Sequence, residues 1–497
     1  MRDYRLMFSS CFEGKGVHFM SRFIVALLSA QVALASEREL HVANTGDDRN
    51  PGTELAPFKS IQRAADVAEA GDTVVIHAGL YARQSGRSRV LEVARTGTDD
   101  APITFTSAGD GDVILDNQGG GDWVLYLNGR FNPLEHIIIS GLTVQGGVSG
   151  GVYVRNTASA VVAHCRVVDN RGIGIYIGGG GANQVVRRCE AARNWIGIKA
   201  GNNLLTEQPT AVTIEENWSH HNVNESYPAD SDGIQMLGRG NVGSLIRGNV
   251  VNDNGDDGLD VGMEASNVVI ERNVVFNHVH PGGDGTGIKI GTHESYLKPT
   301  GGHIVRFNVV INSKLRNLDL AGNYRGTEKG LRPPPLIVYN NTLLDAGQDN
   351  VYLEMVDAVL LNNIATRSLN PAFWSCRLRV NDAMRDDPPV VVSDFNLWSN
   401  RWIKGPDGSM VTDQDSHSTD AAPEFTAWPA WSVGTDLSSP KFRKVNGLNL
   451  KPDSPGEGDG YRVEVFLAML LVETPRPAWR EILAPLAKRQ IVDMGAR

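Results

Sequence analysis

The chain is 497 residues long, with 41% hydrophobic residues, 21% charged residues and 54 glycines. This composition is typical of a soluble, turn-rich protein dominated by β-structure, and length alone does not set the domain count because solenoid folds extend rather than thicken. The formal net charge of −10 argues against nucleic acid as a partner, and an acidic polysaccharide would need local cations or a bound metal to dock.

Residues 20–35 have the pattern of a secretory signal peptide. A basic start precedes a short apolar run that ends in Ala33 and Ala35. The residues before Met20 carry mixed charges that do not belong to such a signal, so Met20 is an alternative start. A membrane anchor is the competing interpretation, but the run is too short to span a bilayer and no later stretch is long enough. We predict an extension and signal peptide at 1–35, followed by a secreted or periplasmic, soluble monomer.

A short amphipathic helix is predicted near the start of the mature chain. Between Ser60 and Gly71, apolar residues recur with helical period, namely Ile61, Ala64, Ala65, Val67 and Ala68. We expect this helix to lie across the open end of a solenoid and to cover its first unpaired strand.

A strand motif with a glycine or asparagine before alternating aliphatic residues recurs along the middle of the chain. Its copies begin at Gly151, Gly174, Gly197, Gly233, Gly258, Gly287, Asn317 and Asn350, which gives successive spacings of 23, 23, 36, 25, 29, 30 and 33 residues. Short strands at a variable period, with the variation confined to loops, are typical of a parallel β-helix. Leucine-rich repeats have a tighter leucine pattern and propellers a longer period, so both fit worse.

A second strand recurs between these copies and ends in asparagine. The residues in question are Asn217, Asn249, Asn273, Asn308, Asn341 and Asn363. They predict an internal ladder at a bend, because an Asn side chain can bond backbone groups there and tolerates left-handed geometry. Two earlier copies end in Cys165 and Cys189, which we expect to stack inside the coil rather than to form a disulfide.

These patterns together predict an all-β protein whose main domain is a parallel β-helix over residues 36–400. The stretch from 401 to 497 loses the period and becomes rich in Asp, Ser, Pro and Gly. We expect that stretch to form an irregular C-terminal cap.

The first strand of each coil should place one row of side chains on the outer surface. Because side chains alternate along a strand, the aliphatic residues point inward and the residue between them points outward. The predicted exposed ladder, with neighbours about 4.8 Å apart along the axis, consists of Tyr153, Tyr176, Lys199, Gln235, Asp260, Lys289, Asp319 and Tyr352.

Four carboxylates on adjacent coils are the most specific signal in the sequence. They are Asp232, Asp256, Asp257 and Asp260. Carboxylates without His or Cys in the pattern are hard oxygen ligands and suit Ca²⁺ better than zinc. Asp-Gly pairs also form turns, which is enough to explain any single one of these residues. The set of four favours a metal, because clustered carboxylates with no cation would repel strongly.

Lys289 is the second candidate, because it lies on the same outward ladder as Asp260 and one coil further on. A lysine acts as a base only when it is neutral. A neighbouring cation and partial burial both lower its pKa, whereas nearby aspartates raise it. The alternative is a surface lysine paired with Asp260 or Asp319.

Three segments together carry a resemblance to a known family. Asp232-Gly, Asp256-Asp257-Gly-x-Asp260 and Gly-x-Lys289 resemble polysaccharide lyase family 9, a group of pectate-lyase-like right-handed parallel β-helices. The resemblance covers roughly residues 40–400. It implies one Ca²⁺ held by the four aspartates and Lys289 as the base. The last segment differs from the commoner Phe-Lys-Leu-Gly version, because it is Ile-Lys-Ile-Gly followed by Thr-His.

We therefore expect a calcium-dependent lyase that cleaves an acidic polysaccharide, with pectate or polygalacturonate as the first candidate, by β-elimination. The alternatives are a chondroitinase-like or alginate-lyase-like enzyme, a glycoside hydrolase that uses Asp256 and Asp257, or a non-catalytic glycan-binding β-helix. No general acid is evident. Residues that could serve as the acid or hold further carboxylates are His293, Lys298, Lys314, Arg316, Tyr324 and Arg325.

Overall fold

The computed structural model describes most of the chain between residues 38 and 398, and short strands beyond. The described ranges are 38–202, 209–238, 241–262, 264–292, 300–322, 333–366, 368–370, 376–379, 389–394, 396–398, 401–403, 430–433 and 443–446. The predicted extension and signal peptide at 1–35 lie outside these ranges, as does most of the predicted C-terminal cap.

Three long sheets, each made of parallel strands, contain nearly all of the regular structure. Sheet 1 has thirteen strands: Glu39–Val42, Thr73–Ile76, Ile103–Ser107, Ile137–Ser140, Val161–Ala163, Val185–Arg187, Thr213–Glu215, Leu245–Arg247, Val269–Glu271, Ile304–Arg306, Leu336–Tyr339, Ala358–Leu361 and Val391–Asp394. Sheet 2 has twelve: Gly79–Ala82, Val113–Asp116, Thr143–Gln145, Arg166–Val168, Glu190–Ala192, Trp218–His220, Val250–Asn252, Val274–Phe276, Val309–Ile311, Thr342–Leu344, Ile364–Ala365 and Leu397–Trp398. Sheet 3 also has twelve: Leu91–Val93, Trp123–Asn128, Gly150–Arg155, Ile173–Gly178, Ile198–Ala200, Ile234–Met236, Leu259–Val261, Ile288–Thr292, Leu318–Gly322, Val351–Glu354, Cys376–Arg379 and Arg401–Ile403.

Each coil of the chain adds one strand to each sheet, which confirms the predicted parallel β-helix. The inward residues of successive coils stack on one another, as Ile198, Ile234 and Leu259 do at equivalent positions of sheet 3. All three side chains are fully buried, so aliphatic stacks fill the interior of the coil. Two short pairs lie outside the three sheets: Leu134–Glu135 with Thr157–Ala158, and the antiparallel strands Ala430–Val433 and Arg443–Asn446.

The predicted β-helix domain ends at residue 400. Arg401–Ile403 pairs in parallel with Cys376–Arg379, so sheet 3 continues past that point. The domain limits themselves stay predictions.

The predicted N-terminal helix forms over Ile61–Val67, with Ser60 as its N-cap. It packs against the first two strands of sheet 1, Glu39–Val42 and Thr73–Ile76, and against the first strand of sheet 3, Leu91–Val93. The Gln62 amide donates to the Glu92 carbonyl at 2.9 Å and accepts from the Glu92 N–H at 2.8 Å. The helix therefore supplies the partner that the edge strand of sheet 3 lacks. No helix in the described ranges has the length and apolar character needed to cross a membrane.

The asparagine ladder forms as predicted at the bend between sheets 1 and 2. From Asn217 to Asn396, each side-chain Nδ2 donates to the Oδ1 of the ladder residue in the next coil, at 2.9–3.0 Å. The ladder residue itself is not left-handed. The preceding residue takes that geometry instead, for example Glu216 at φ 59° and Arg272 at φ 55°. The reason is that the Asn must point inward to reach its ladder partners.

Cys165 and Cys189 occupy the first two positions of this ladder. Both are buried and neither is in a disulfide, and the Cys189 N–H donates to Asn217 Oδ1 at 2.9 Å. The prediction of stacked, unpaired cysteines is confirmed.

A second internal ladder, which the sequence analysis missed, lines the bend between sheets 2 and 3. Asn170, Asn194, Asn222 and Asn254 are joined in succession by Nδ2 to Oδ1 bonds of 2.9–3.1 Å. His278 takes the next position, with Nε2 3.3 Å from the Val251 carbonyl. This bend leads directly into the strands that carry the candidate site.

Candidate metal and catalytic site

The outward ladder of sheet 3 has the predicted register through the centre of the molecule. Gln235, Asp260, Lys289 and Asp319 occupy equivalent positions on four successive strands. The prediction that every residue of this ladder is exposed is wrong, because Gln235 is only 3% and Asp319 only 7% exposed. Side chains on this face cover one another, which places charged groups in a partly dehydrated environment.

Asp232, Asp256 and Asp257 come together at the turns that precede two of these strands. One carboxylate oxygen from each lies within 4.8 Å of the other two, and all three residues are buried. Asp260 is not part of this group of three. It lies beside the group, and Gln235 Nε2 links the two parts by donating to Asp232 Oδ2 at 2.7 Å and to Asp260 Oδ2 at 3.4 Å.

Backbone N–H groups from neighbouring turns hold these carboxylates in place. Asp256 accepts from the amides of Asp230 and Asp284 at 2.9 and 2.5 Å. Asp257 Oδ1 accepts from the Thr286 amide at 2.9 Å, and Asp232 Oδ1 accepts from the Asp257 amide at 3.1 Å. The carboxylates are therefore fixed before any ligand arrives.

A glycine permits the close approach of the next turn to Asp256. A Cβ at Gly283 would lie 2.7 Å from Asp256 Cα and 2.8 Å from Asp256 Oδ1, distances that real Cβ atoms do not adopt. Gly283 is thus required for the packing that brings the Asp284 amide onto the Asp256 carboxylate.

The electrostatics of the group favour a bound cation. Burial, followed by the charges of Asp260, Asp257 and Asp256, raises the pKa of Asp232 well above its usual range. Burial likewise raises the pKa of Asp257 to about 8, although Lys289 opposes the shift. Asp232 and Asp257 therefore resist ionisation while the neighbouring carboxylates are charged.

The donor set fits Ca²⁺. The three grouped carboxylates supply only hard oxygen ligands, and Asp260 adds negative charge beside them. Gln235, whose Nε2 donates to Asp232 and Asp260, also has a buried Oε1 with no hydrogen-bond partner among the described residues.

Lys289 lies against the carboxylate group rather than out in solvent. Its Nζ donates to Asp257 Oδ2 at 2.9 Å and lies 3.7 Å from Asp284 Oδ2. The alternative pairing with Asp260 or Asp319 is therefore not the one found. Burial lowers the pKa of Lys289, but Asp257 and Asp260 outweigh it and raise the pKa above its usual range. With the carboxylates uncompensated, this amine is held in its charged form.

Two further candidates from the sequence have structural partners. Lys314 Nζ donates to the carbonyls of Pro281 and Gly283 at 2.8 and 2.6 Å, so it holds the turn that carries Asp284. Arg316 forms an ion pair with Asp319 and lies over the Tyr352 ring. Four other candidates lie outside the described residues: His293, Lys298, Tyr324 and Arg325.

Asp284 was missed by the sequence analysis although its side chain lies near Lys289 Nζ. It lies in the turn before a ladder strand rather than on the ladder. The only available signal was its position three residues before Gly287, which matches that of Asp230 before Gly233.

Fold and site together define a parallel β-helix that carries a buried carboxylate group and a lysine on the outer face of one sheet. Residues 40–323, more than half of the chain, match the family model described as Pel9A-like, right handed beta helix region. The chain belongs to this family, which confirms the resemblance to polysaccharide lyase family 9 and the right-handed coil.

Individual relatives are distant. Pectate lyase L of Dickeya dadantii (strain 3937) is 22% identical over 360 residues, a match that covers 64% of this chain and 82% of that protein. The uncharacterized protein YwoF of Bacillus subtilis (strain 168) is 33% identical over 145 residues, but this match spans only 27% of this chain and 29% of that protein. The chain is thus a distant homologue of pectate lyases.

Solved structures agree on the fold. The crystal structure of pectate lyase Pel9A aligns with a TM-score of 0.50 and 17% identity, over 85% of this chain and 91% of that chain. The complex of XylC with xylose aligns with a TM-score of 0.54 and 12% identity, over 78% of this chain and 87% of that chain. At these identities both comparisons bear on the fold alone.

Proposed function

We propose that this protein is an exported, calcium-dependent polysaccharide lyase that cleaves a uronic-acid-containing chain by β-elimination, with polygalacturonate as the first candidate substrate. One observation carries the proposal: Lys289 Nζ lies 2.9 Å from Asp257 Oδ2, and Asp257 belongs to a group of three buried carboxylates. A potential base and a potential calcium site thus share one outer face. The distant pectate lyase homologues support this choice of substrate class.

The chemistry requires a base beside a site that stabilises negative charge. In a 4-linked uronic acid the C5 proton is acidified by the adjacent carboxylate. Lys289 would take this proton at Nζ, the C5–H electron pair would form the C4–C5 double bond, and the C4–O bond would break, with the leaving oxygen protonated from solvent. Calcium, when held by Asp232, Asp256 and Asp257, would neutralise the substrate carboxylate and the extra charge that develops on it.

Lys289 needs to be neutral to act in this way. Burial favours its neutral form, whereas Asp257 and Asp260 favour its charged form. Positive charge placed on the carboxylate group would offset the effect of the two aspartates on Lys289. Burial would then remain and would lower the pKa of Lys289. Asp257 therefore both orients the amine and makes its basicity depend on occupancy of the metal site.

The carboxylate geometry argues against the glycoside hydrolase alternative. One oxygen of Asp256 lies within 4.8 Å of one oxygen of Asp257, which is too close for the separation of about 6.5–9.5 Å that an inverting glycosidase needs to hold its water. In addition, both oxygens of Asp256 accept backbone N–H groups. The pair is built as a ligand group rather than as an acid and a base on either side of a sugar.

The proposal is tested by incubating the purified protein with polygalacturonate and a panel of other acidic glycans. We expect ultraviolet absorbance from the conjugated product to rise with calcium and to stop on addition of chelator. Lys289→Ala should lose roughly 10²–10⁴-fold in turnover while keeping its calcium-induced rise in Tm. Lys59→Ala removes the same charge at an exposed position outside the site and serves as the control.

Other outcomes would point elsewhere. New reducing ends without absorbance would indicate hydrolysis. Glycan binding that persists without any product, and that is equal in Lys289→Ala, would indicate a binding protein.

A further inference from the structure

The outer face of sheet 3 continues from the site toward the N-terminus as a stack of aromatic rings. Tyr126, Tyr153 and Tyr176 occupy equivalent positions on three successive strands. The rings of Tyr153 and Tyr176 are stacked at 4.7 Å and 20°, and those of Tyr126 and Tyr153 lie 5.2 Å apart. Trp123 packs 4.9 Å from Tyr153 and 6.0 Å from Tyr176. Tyr126 and Trp123 are buried, whereas Tyr153 and Tyr176 are only partly buried.

Lys199 lies between this stack and the carboxylate group. It pairs in register with Tyr176 on one side and with Gln235 on the other. Its side chain is partly buried, and within the ranges that the structure describes no hydrogen bond or ion pair holds its ammonium. Burial lowers the pKa of Lys199, although Asp232 and Asp230 oppose the shift. A partly dehydrated cation without a direct partner is stabilised by any anion that docks beside it.

The register sets the distance between Lys199 and the proposed base. Lys199, Gln235, Asp260 and Lys289 lie on consecutive strands, so three strand spacings, about 14 Å, separate the two lysines along the axis. A few linked sugar rings span such a distance. A polysaccharide that runs along the ladder with its reacting residue at Lys289 therefore reaches Lys199 and Tyr176.

We propose that Lys199 and Tyr176 form a distal subsite that binds one uronate residue of the polyanionic chain. Lys199 binds the carboxylate, and the Tyr176 ring, at the end of the aromatic stack, contacts the apolar face of the sugar. This inference rests on the proposed function for the direction and identity of the glycan. It adds a local cation on a chain of net charge −10, which a polyanion needs in order to dock.

The first test compares long and short substrates. Lys199→Met keeps most of the length of the side chain and removes its charge. We expect it to raise KM for polygalacturonate roughly tenfold, the loss of one charge-assisted contact, and to leave KM for the shortest cleaved oligogalacturonide within about twofold. Lys59→Met, exposed and away from the ladder, should leave both values unchanged. An equal rise for long and short substrates would overturn the subsite.

Calcium affinity provides the second readout, because Lys199 could instead act only by balancing the charge of Asp232. Calorimetric titration with calcium alone should give the same Kd for Lys199→Met and the unmodified protein. A changed Kd together with an unchanged preference for long substrates would assign Lys199 to the metal group and overturn the proposal.

The contribution of the ring is tested by Tyr176→Phe and Tyr176→Ala. The Phe variant keeps the stack and loses only the contact of the hydroxyl with Asn202, so its KM should stay near that of the unmodified protein. The Ala variant should raise KM for long substrates several-fold, and its Tm shows whether the stack has been disturbed. If Phe and Ala behave alike, the ring has no role in binding.

Failure of the lyase assignment is distinguishable from failure of the subsite. Binding of polygalacturonate is measured by calorimetry in the Lys289→Ala background, which needs no turnover. Weaker binding in the Lys199→Met, Lys289→Ala double variant supports the subsite even if the unmodified protein makes no unsaturated product. Equal binding by the Lys289→Ala variant and by the double variant overturns the subsite even if the lyase activity is found.

Discussion

Asp257 connects the proposed metal ligands with the proposed base. Its Oδ2 accepts from Lys289 Nζ, and its Oδ1 accepts from the Thr286 amide. The same carboxyl belongs to the buried group with Asp232 and Asp256. A change in charge on either side of Asp257 is therefore felt on the other, within one hydrogen bond.

This connection predicts how the metal-free protein responds to pH. The folded-state pKa of Asp257 is raised to about 8, above the value of about 3.9 in an unfolded chain. The folded state thus binds the proton more tightly, and the stabilising contribution present below pH 4 is lost as pH rises toward 8. We expect the Tm of the calcium-free protein to fall between pH 6.5 and 8, and the Asp257→Asn variant to show a smaller fall.

Two buried histidines set the lower limit of this pH range, because their effect on stability has the opposite dependence on pH. Burial lowers the pKa of both His278 and His303 to about 4, so their protonation in the unfolded chain reduces stability as pH falls below about 6.5. Above that value they are neutral in both states. Saturating calcium should abolish the fall in Tm above pH 6.5, and a fall that persists unchanged in calcium would contradict this account.

The main residues of the site could be predicted from the sequence because they follow strand periodicity. Lys289 and Asp260 are the outward residues of Gly-x-x-x strands whose neighbours are aliphatic. The partner of Lys289 could not be predicted, because Asp257 lies in a turn that packs against Gly283 in the next coil, and Gly283 is held in turn by Lys314 in the coil after that. Periodicity places residues on strands, whereas turn geometry comes from contacts between coils.

At the scale of elements, the asparagine ladder joins successive coils more firmly than backbone pairing alone. Asn273 Nδ2 donates to the Ile246 carbonyl and to Asn308 Oδ1, both at 3.0 Å. Its Oδ1 accepts from the Asn249 amide at 3.0 Å. One side chain thus satisfies buried polar groups in the coils on both sides of its own.

Asn273→Ala should therefore cost far more than an ordinary surface change. It leaves the buried N–H of Asn249 without its acceptor and removes one of the donors to the Ile246 carbonyl, for a loss on the order of 2–4 kcal/mol in the free energy of unfolding. Denaturant unfolding followed by circular dichroism measures this loss. Asn132→Ala, at an exposed turn, is the matched control and should stay within about 0.5 kcal/mol. Similar losses in the two variants would show that the ladder contributes no more than a surface residue.

Sequence periodicity revealed one ladder and not the other for a physical reason. The first follows a strand of fixed length, so Asn217, Asn249 and Asn273 recur at one place in the pattern. The second follows strands of sheet 2 that are equally short, such as Trp218–His220 and Val250–Asn252, but its run of asparagines ends where His278 takes the next position. The bonds of Gln62 to the edge strand could not be predicted either, because a single Gln on a helix does not belong to any repeating sequence pattern.

At the scale of the whole molecule, the proposed calcium site joins consecutive coils. Asp232 precedes one strand of sheet 3, Asp256 and Asp257 precede the next, and Lys289 lies on the third. Backbone bonds run between the same coils, from the Gly233 amide to the Asp257 carbonyl and from the Gly258 amide to the Thr286 carbonyl. In a solenoid each repeat contacts mainly its neighbours, so a ligand stabilises chiefly the coils that bind it.

Hydrogen exchange should make this locality visible. With calcium at about 100 times its Kd, the coils that hold it gain a factor of roughly 100 in protection wherever exchange proceeds by opening of the site. We expect the slowing to centre on Ile234–Met236, Leu259–Val261 and Ile288–Thr292 and to be small at Ile103–Ser107, several coils away. Asp232→Asn, which removes one ligand charge and keeps the shape of the side chain, should lose the effect. Equal slowing along the whole chain would mean that the β-helix opens as one unit, and that the site stabilises all coils rather than its own.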